Sequence, residues 1–289
     1  WLKERRPGRF VEALVARNEE EAAAGRRQEV PLQSLRAGSF VAHPEFMLEQ
    51  NLKQRACNDC TVSGWNATCK SQEQLTLPST ADVVDYASRL LRVMPSCSPQ
   101  LAVADEEKAY RNWPNGRPSG MYMVIFLGDG KARVWQDWAM CFGDAAAVYG
   151  YNRIRLCLTY FFRVEFAVAA WSYYDDTSLV EPKDTATFAW FAFLRLHALL
   201  RIPLKGNPLD RSSAKLAGSK FFPPASSNKF LGELPSVASL PCTVSPTAMR
   251  RQAGKVMLQQ VLDKGRLLPA EAASIHGKLR FLTADLYGR

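Results

Sequence analysis

Apolar residues recur at helical spacing in several segments of the chain. The spacing predicts helices at residues 82–93, 143–163 and 188–201, a shorter one around residues 10–17, and two more after Pro246. A further short helix is expected after Glu106. It should end at Trp113-Pro114-Asn115-Gly116, because proline and glycine interrupt helices.

Shorter apolar runs between these helices predict β-strands. Residues 121–126 and 131–135 are joined by Leu127-Gly128-Asp129-Gly130 and predict a β-hairpin, since Asp-Gly favours the positive φ of tight turns. Two other runs, residues 101–104 and 164–171, are each followed by acidic residues. The first leads to Asp105, and the second leads to Tyr173-Tyr174-Asp175-Asp176.

Carboxylates crowded at strand ends have a physical consequence. Like charges this close either raise a pKa or recruit a cation. Oxygen ligands suit Mg²⁺, and two such ions about 3.5–4 Å apart support in-line displacement at phosphorus. The competing interpretation is an ordinary turn, because aspartate side chains readily hydrogen-bond their own backbone. The surrounding sequence distinguishes a metal site from an ordinary turn.

Six sequence blocks surround and include these acids. In chain order they are Arg55-Ala56-Cys57-Asn58-Asp59 with Ser63-Gly64-Trp65-Asn66, residues 105–111, residues 142–153, Tyr173-Tyr174-Asp175-Asp176, residues 220–225, and Phe230-Leu231-Gly232. From about Lys53 to the C-terminus, the series resembles a retrotransposon reverse transcriptase, which is an RNA-directed DNA polymerase. The resemblance rests on the order of the blocks rather than on any one of them.

The resemblance implies an α+β, right-hand polymerase fold. Such a fold has fingers, a palm built on a small antiparallel sheet, and a short thumb. We therefore expect a charged N-terminal extension at residues 1–36, fingers at 37–100, a palm at 101–240 with a fingers hairpin at about 114–138, and thumb or connection helices at 241–289.

The same resemblance implies a catalytic centre. Asp105 and Asp175 would hold two Mg²⁺ or Mn²⁺ ions, with Asp176 in support and the backbone carbonyl of Glu106 as a further contact. Catalysis of this kind is positioning plus charge neutralisation. Tyr174 would line the primer end.

Five residues would bind the incoming deoxynucleotide if the resemblance holds. Tyr110 would exclude a 2′-hydroxyl, Arg55 would cross the triphosphate with its planar fork, and Lys220 would approach the leaving phosphate. Gly143 and Asn152 would contact the template–nucleotide pair. Tyr110 could equally be a core aromatic residue, and Arg55 an ordinary surface arginine.

Charge is distributed unevenly along the chain. The formal net charge is +9, and the segment from Lys205 onward holds thirteen Lys and Arg against five Asp and Glu, a net of +8. This excess suits the phosphates of an RNA template and a DNA primer, although ordinary solubility charge is the alternative. No apolar run approaches the ~18–20 residues of a membrane span, so no membrane partner is expected. Protein partners are not indicated.

Seven cysteines, an odd number, argue against a disulfide framework. They favour an intracellular, reducing compartment, nuclear or cytoplasmic. Cys57, Cys60 and Cys69 lack a second pair at zinc-site spacing, so free thiols are expected.

Some positions depart from the family pattern. Asn152 stands where glutamine is frequent, Thr61 where a basic residue is common, and Cys141 where proline is usual. The leading function is RNA-templated DNA synthesis. Because of these departures, a catalytically inactive, domesticated relative that binds nucleic acid is the second. RNA-directed RNA synthesis is the third, since it also uses paired aspartates.

Overall fold

A computed structural model describes residues 8–36, 38–50, 53–71, 73–116, 118–207 and 221–283. The helices are α1 Val11–Ala23, α2 Trp65–Thr68, α3 Thr80–Val93, α4 Ala145–Glu165, α5 Lys183–Leu199, α6 Ala248–Lys264 and α7 Pro269–Thr283. The strands are β1 Arg27–Val30, β2 Ala42–Gln50, β3 Lys53–Asn58, β4 Pro99–Asp105, β5 Tyr122–Gly128, β6 Lys131–Asp137, β7 Ala169–Tyr173, β8 Asp176–Pro182, β9 Phe221–Ala225, β10 Glu233–Ser236 and β11 Thr243–Pro246.

These elements form two compact units. Unit 1 contains residues 1–75 and 108–154, and unit 2 contains residues 76–107 and 155–289. The mixed composition of helices and sheets confirms the α+β class. The unit boundaries differ from the predicted domains: α3, predicted within the fingers, belongs to unit 2, and the first half of α4, predicted within the palm, belongs to unit 1.

Unit 1 is organised around a five-stranded sheet in the order β1-β6-β5-β2-β3. Its strands pair antiparallel except for β2 and β5, which are parallel. The predicted hairpin at 114–138 is present as β5 and β6, with positive φ at Gly128, Asp129 and Gly130 in the turn. One side chain from α1, Leu14, is buried in the same core as Met123 and Trp135.

The N-terminal segment differs from the predicted solvated extension. Its sequence is rich in charge, which suggested exposure, yet α1 and β1 are integral to unit 1. Glu21 and Arg27 are 3% and 5% exposed, because each is neutralised by an oppositely charged partner. Residues 1–7 lie outside the described part of the chain.

A buried ionic network joins five elements of unit 1. Arg111, in the 3₁₀ turn Ala109–Asn112, contacts Glu21 of α1 at 2.9 Å and Asp137 of β6 at 2.8 Å. Arg27 of β1 contacts the same Asp137 at 2.6 Å and Glu45 of β2 at 3.1 Å. Removing one partner of such a network leaves a buried charge uncompensated, which is strongly destabilising.

Unit 2 is built on a four-stranded sheet in the order β7-β8-β4-β9, antiparallel throughout. Its two faces follow the period-two alternation of strand side chains. Leu101 and Val103 pack in one core with Val83 of α3. Ala102 and Ala104 pack in the other, together with residues of α4 and α5, among them Phe162, Trp190 and Phe193.

Three local predictions were wrong. The run at 164–171 was expected to be one strand, but α4 continues to Glu165 and β7 begins only at Ala169, after a positive φ of 52° at Ala167. The helix expected after Glu106 is only the 3₁₀ turn Ala109–Asn112, because Lys108 and Ala109 both have positive φ. The stretch after Pro203, expected to be loop, contains β9. The two helices expected after Pro246 are confirmed as α6 and α7.

Two properties concern all of the described residues rather than one unit. Within the described ranges, no helix is both long enough and apolar enough to cross a bilayer. All seven cysteines are free thiols.

Acid should weaken the network of unit 1 through Glu21. Burial alone would raise its pKa, but hydrogen bonds and charges from Arg26 and Arg111 outweigh burial and lower the pKa from 4.5 to about 2. A depressed folded-state pKa contributes stability above the unfolded pKa, and that contribution is lost as pH falls from about 4.5 to about 2. We expect Glu21→Gln to lower the free energy of unfolding at pH 7 by about 3 kcal/mol.

Urea unfolding followed by tryptophan fluorescence measures this effect. The wild-type free energy of unfolding should fall more steeply between pH 4.5 and pH 2 than that of Glu21→Gln. Glu12→Gln, an exposed position on the same helix, is the matched control and should parallel the wild type. Equal pH slopes for Glu21→Gln and wild type would contradict the assignment.

Candidate active site

The sequence Tyr173-Tyr174-Asp175-Asp176 forms the turn of a β-hairpin. Tyr173 at the end of β7 pairs with Asp176 at the start of β8, which leaves Tyr174 and Asp175 as a two-residue loop. Tyr174 has φ +50°, as a type II′ hairpin turn requires at its first central residue. The hydroxyl of Ser172 donates to the Tyr174 carbonyl at 3.1 Å. Asp175 is thereby fixed at the tip of the hairpin.

Antiparallel pairing of β4 with β8 brings the first aspartate to this turn. Asp105 lies directly opposite Asp176 in the register. The backbone amide of Glu106 donates to the Asp175 carbonyl at 2.9 Å. Directly opposed residues share one face of a sheet with Cβ atoms about 4.5–5.5 Å apart. The register therefore places Asp105 next to Asp176, and the hydrogen bond from Glu106 holds the backbone of Asp175 beside the end of β4.

The alternation along β4 separates Asp105 from its neighbour Glu106. Asp105 continues the face of Leu101 and Val103, and Glu106 continues the face of Ala102 and Ala104. Both residues are fully buried. Each carboxylate therefore needs its own source of positive charge, on opposite faces of the sheet.

Lys205 supplies that charge to Asp105. Its ammonium forms an ion pair with Asp105 Oδ1, and its backbone amide donates to the Asp105 carbonyl at 2.9 Å. The amide of Glu107 donates to the Pro203 carbonyl at 2.8 Å, so residues 203–205 run antiparallel beside the end of β4. The sequence analysis missed Lys205, because nothing in its local spacing distinguishes it from the other basic residues of the C-terminal third.

Arg155 supplies positive charge on the opposite face. Arg155 is 1% exposed, and its guanidinium donates to Glu106 Oε2 at 3.1 Å and to Ser172 Oγ at 3.1 Å. It also hydrogen-bonds Thr177 Oγ1 and approaches His197 Nε2 at 3.4 Å. One side chain from α4 thus connects β7, β8, α5 and the residue that follows β4. The sequence analysis did not identify Arg155 either, because an arginine within a helical sequence is ordinarily taken for a surface residue.

His197 is a neutral member of this network. Burial, followed by the charge of Arg155, lowers its pKa from 6.5 to about 3. Its Nδ1 donates to the Phe193 carbonyl at 2.9 Å, which leaves Nε2 as the acceptor for Arg155. The positive charge of Arg155 is therefore balanced by Glu106 alone among these partners.

The donor set at the hairpin fits a hard divalent cation by its chemistry. Asp105 and Asp176 offer carboxylate oxygens at opposed positions, and Asp105 already holds a cation, the ammonium of Lys205. In the part of the chain that the structure describes, no group of three or more His, Cys, Asp or Glu side chains is arranged to hold a metal ion. The side chain of Glu106 is engaged by Arg155, so only its backbone carbonyl matches the predicted metal contact.

The predicted nucleotide-binding residues that the structure describes all belong to unit 1, whereas the three aspartates belong to unit 2. Tyr110 packs its ring against Phe142 and Tyr151, with centroids 5.1 and 4.6 Å apart. Arg55 is exposed on the edge strand β3. Lys220 lies outside the described residues.

Asn152 is buried within α4. Its side-chain amide donates to the Val148 carbonyl one turn earlier at 2.8 Å. Only 2% of its surface is exposed. One amide hydrogen is therefore already used inside the helix, which reduces what this residue can offer to a ligand.

Gly143 stands where no other residue fits. It has φ +104°, and an added Cβ would lie 2.0 Å from the backbone oxygen of Asn58. The amide of Asn58 donates to the Phe142 carbonyl at 3.2 Å, and Asn66 Nδ2 donates to the Gly143 carbonyl at 2.9 Å. The glycine thus lets the segment that leads into α4 pass directly over the end of β3.

Comparison of the sequence with protein-family models gives no match. Comparison with curated proteins gives none either. Function has to be inferred from the residues and their geometry.

Replacing Gly143 by alanine should destabilise unit 1 strongly. The new Cβ would meet a backbone oxygen at 2.0 Å in a conformation that L-residues rarely adopt, so we expect a loss of about 3 kcal/mol or more. Gly116→Ala is the matched control, because a Cβ there meets nothing within 4 Å. Its effect should stay within about 0.5 kcal/mol. Urea unfolding measures both, and equal losses would contradict the steric argument.

Proposed function

We propose that this chain is an RNA-directed DNA polymerase that adds deoxynucleotides to a primer by two-metal nucleotidyl transfer. The observation that carries the proposal is the register of β4 and β8, which sets Asp105 opposite Asp176 and beside the turn that presents Asp175. Asp105 and Asp175 are 70 positions apart in the sequence, and pairing of the two strands is what brings their backbones together.

Asp105 and Asp175 would hold Mg²⁺ or Mn²⁺, with Asp176 in support. When bound, two such ions would neutralise charge at the transferred phosphoryl group and favour attack by the primer 3′-oxygen. The chain's own contribution is rigid placement. The hydrogen bond from the Glu106 amide to the Asp175 carbonyl ties the end of β4 to the hairpin tip. Arg155 holds the side chain of Glu106 on the face opposite that of Asp105.

Roles for the nucleotide-binding residues remain proposals from sequence position. Tyr110 is assigned to the sugar, and its contacts with Phe142 and Tyr151 support a ring that is held rigidly. Arg55 is assigned to the triphosphate, and its exposure leaves the guanidinium accessible. Gly143 and Asn152 are assigned to the template–nucleotide pair, Tyr174 to the primer end and Lys220 to the leaving phosphate.

The second candidate is a catalytically inactive relative that binds nucleic acid. The net charge of +8 from Lys205 onward supports it, together with exposed basic side chains on and between the two last helices: Arg251, Lys255, Lys264, Arg266 and Lys278. Contacts of this kind give affinity that is independent of sequence and sensitive to salt. RNA-directed RNA synthesis is the third candidate and is distinguished by the choice of nucleotide.

Primer extension on an RNA template tests the leading proposal. With dNTPs and Mg²⁺ or Mn²⁺, we expect extended DNA from the wild type and at least about 100-fold less from Asp175→Asn, which removes the charge that would hold the metal. Affinity for the RNA–DNA duplex, measured by fluorescence anisotropy, should be unchanged. If the wild type makes no more product than Asp175→Asn but still binds the duplex in a salt-sensitive way, the chain is the inactive nucleic-acid-binding protein.

Sugar selection should depend on the ring of Tyr110. We expect Tyr110→Ala to lower the ratio of kcat/KM for dNTPs over rNTPs at least tenfold, a loss of about 1.4 kcal/mol of discrimination. Tyr110→Phe keeps the ring and should keep the selectivity. Unchanged selectivity in Tyr110→Ala would remove the gate assignment. A wild type that prefers rNTPs would instead indicate RNA synthesis.

A further inference from the structure

The ion pair between Lys205 and Asp105 has no role in the proposed transfer reaction. Asp105 is fully buried, and a buried carboxylate without a compensating cation is strongly unfavourable. The register places Asp176 on one side of Asp105, which adds further negative charge. On the other side, the strand-like segment 203–205 places Lys205. The ammonium therefore neutralises the most buried of the three acids.

Lys205 is fixed at its backbone and accessible at its side chain. The hydrogen bond from its amide to the Asp105 carbonyl holds the main chain beside the acid. Its side chain, in contrast, is 33% exposed, whereas that of Asp105 is 0% exposed. A lysine ammonium on a flexible four-carbon stem is strongly hydrated and moves readily into water. The pair can therefore separate without any change in the sheet.

The contrast with Arg155 supports this view. The guanidinium of Arg155 is buried, and its bonds to Glu106, Ser172 and Thr177 hold it in place. The side chain of Lys205 is partly exposed, and it carries its charge at a single point. Arg155 is therefore a fixed part of the fold, whereas the ammonium of Lys205 can move away from its partner.

We propose that Lys205 is an exchangeable counter-ion of Asp105, which a divalent cation displaces when it binds. This inference rests on the proposed function, because it takes Asp105 as a metal ligand. Two cations at one carboxylate repel each other, so binding of the divalent ion requires the ammonium to move into solvent. Lys205 thus neutralises the buried Asp105 before metal binds. It also weakens metal affinity, because it competes with the metal for Asp105.

Mn²⁺ binding measured by isothermal titration calorimetry tests the exchange in the whole chain, without nucleic acid or nucleotide. Lys205→Met removes the competitor, and we expect the dissociation constant for Mn²⁺ to fall about tenfold. Lys229→Met is the matched control: it removes the same charge from an exposed position of unit 2 and should leave the constant unchanged. Equal or weaker binding in Lys205→Met would overturn the proposal. So would an identical change in the two variants, which would indicate a general charge effect.

Thermal unfolding in EDTA provides a second readout. Lys205→Met should lower the melting temperature, since it removes the ammonium paired with the buried Asp105, and Mn²⁺ should restore it. In an Asp105→Asn background the same substitution should have no effect on the melting temperature. An equal loss in both backgrounds would mean that Lys205 only packs against the sheet, and the proposal would fail. Lys205→Gln, which keeps most of the stem, replaces Lys205→Met if that variant does not fold.

The proposed counter-ion exchange and the proposed polymerase activity can be refuted independently. Primer extension by the wild type, with no tightening of Mn²⁺ binding in Lys205→Met, removes the counter-ion role alone. Tighter Mn²⁺ binding in the variant, with no extension by the wild type, keeps the exchange and removes the polymerase. Absence of Mn²⁺ binding in both proteins overturns the metal role of Asp105 and the exchange with it.

Discussion

The antiparallel register between β4 and β8 is the constraint on which the candidate site depends. A slip of one residue would move every side chain of β8 to the other face and separate Asp176 from Asp105. The slip is opposed from both sides, because Leu101 and Val180 belong to one apolar core while Ala102 and Leu179 belong to the other. Ordinary packing therefore fixes the position of the acids.

Burial of Asp105 and Glu106 creates the second requirement, which is positive charge on both faces of the sheet. Arg155 meets it for Glu106 from within the helical layer. Lys205 meets it for Asp105 from the segment after α5. A buried ion pair is seldom a source of net stability, because desolvation offsets much of the attraction. These pairs are better understood as supplying the counter-charge that a buried carboxylate requires.

Unit 1 uses the same chemistry for a different purpose. Arg27 and Arg111 share Asp137 in the centre of a network that ties the N-terminal segment to the sheet. The close approach at Gly143 then fixes the start of α4 against the end of β3. Charge neutralisation and one steric requirement thus organise a unit whose N-terminal sequence, judged by composition, suggested a solvated extension.

Local patterns in the sequence determined much of this protein. Apolar periodicity located the strand before Asp105, the β5–β6 hairpin and the long helices, because such patterns need only neighbouring residues. Tertiary structure alone decided the partners of those elements. Glu106 and Arg155 are 49 positions apart, and Asp105 and Lys205 are 100 apart, so no spacing rule relates them. The same holds for Glu21 of the N-terminal helix, which is buried because Arg26 and the distant Arg111 supply its counter-charge. A sequence reveals which residues can carry charge or fill a core, whereas the fold decides which of them meet.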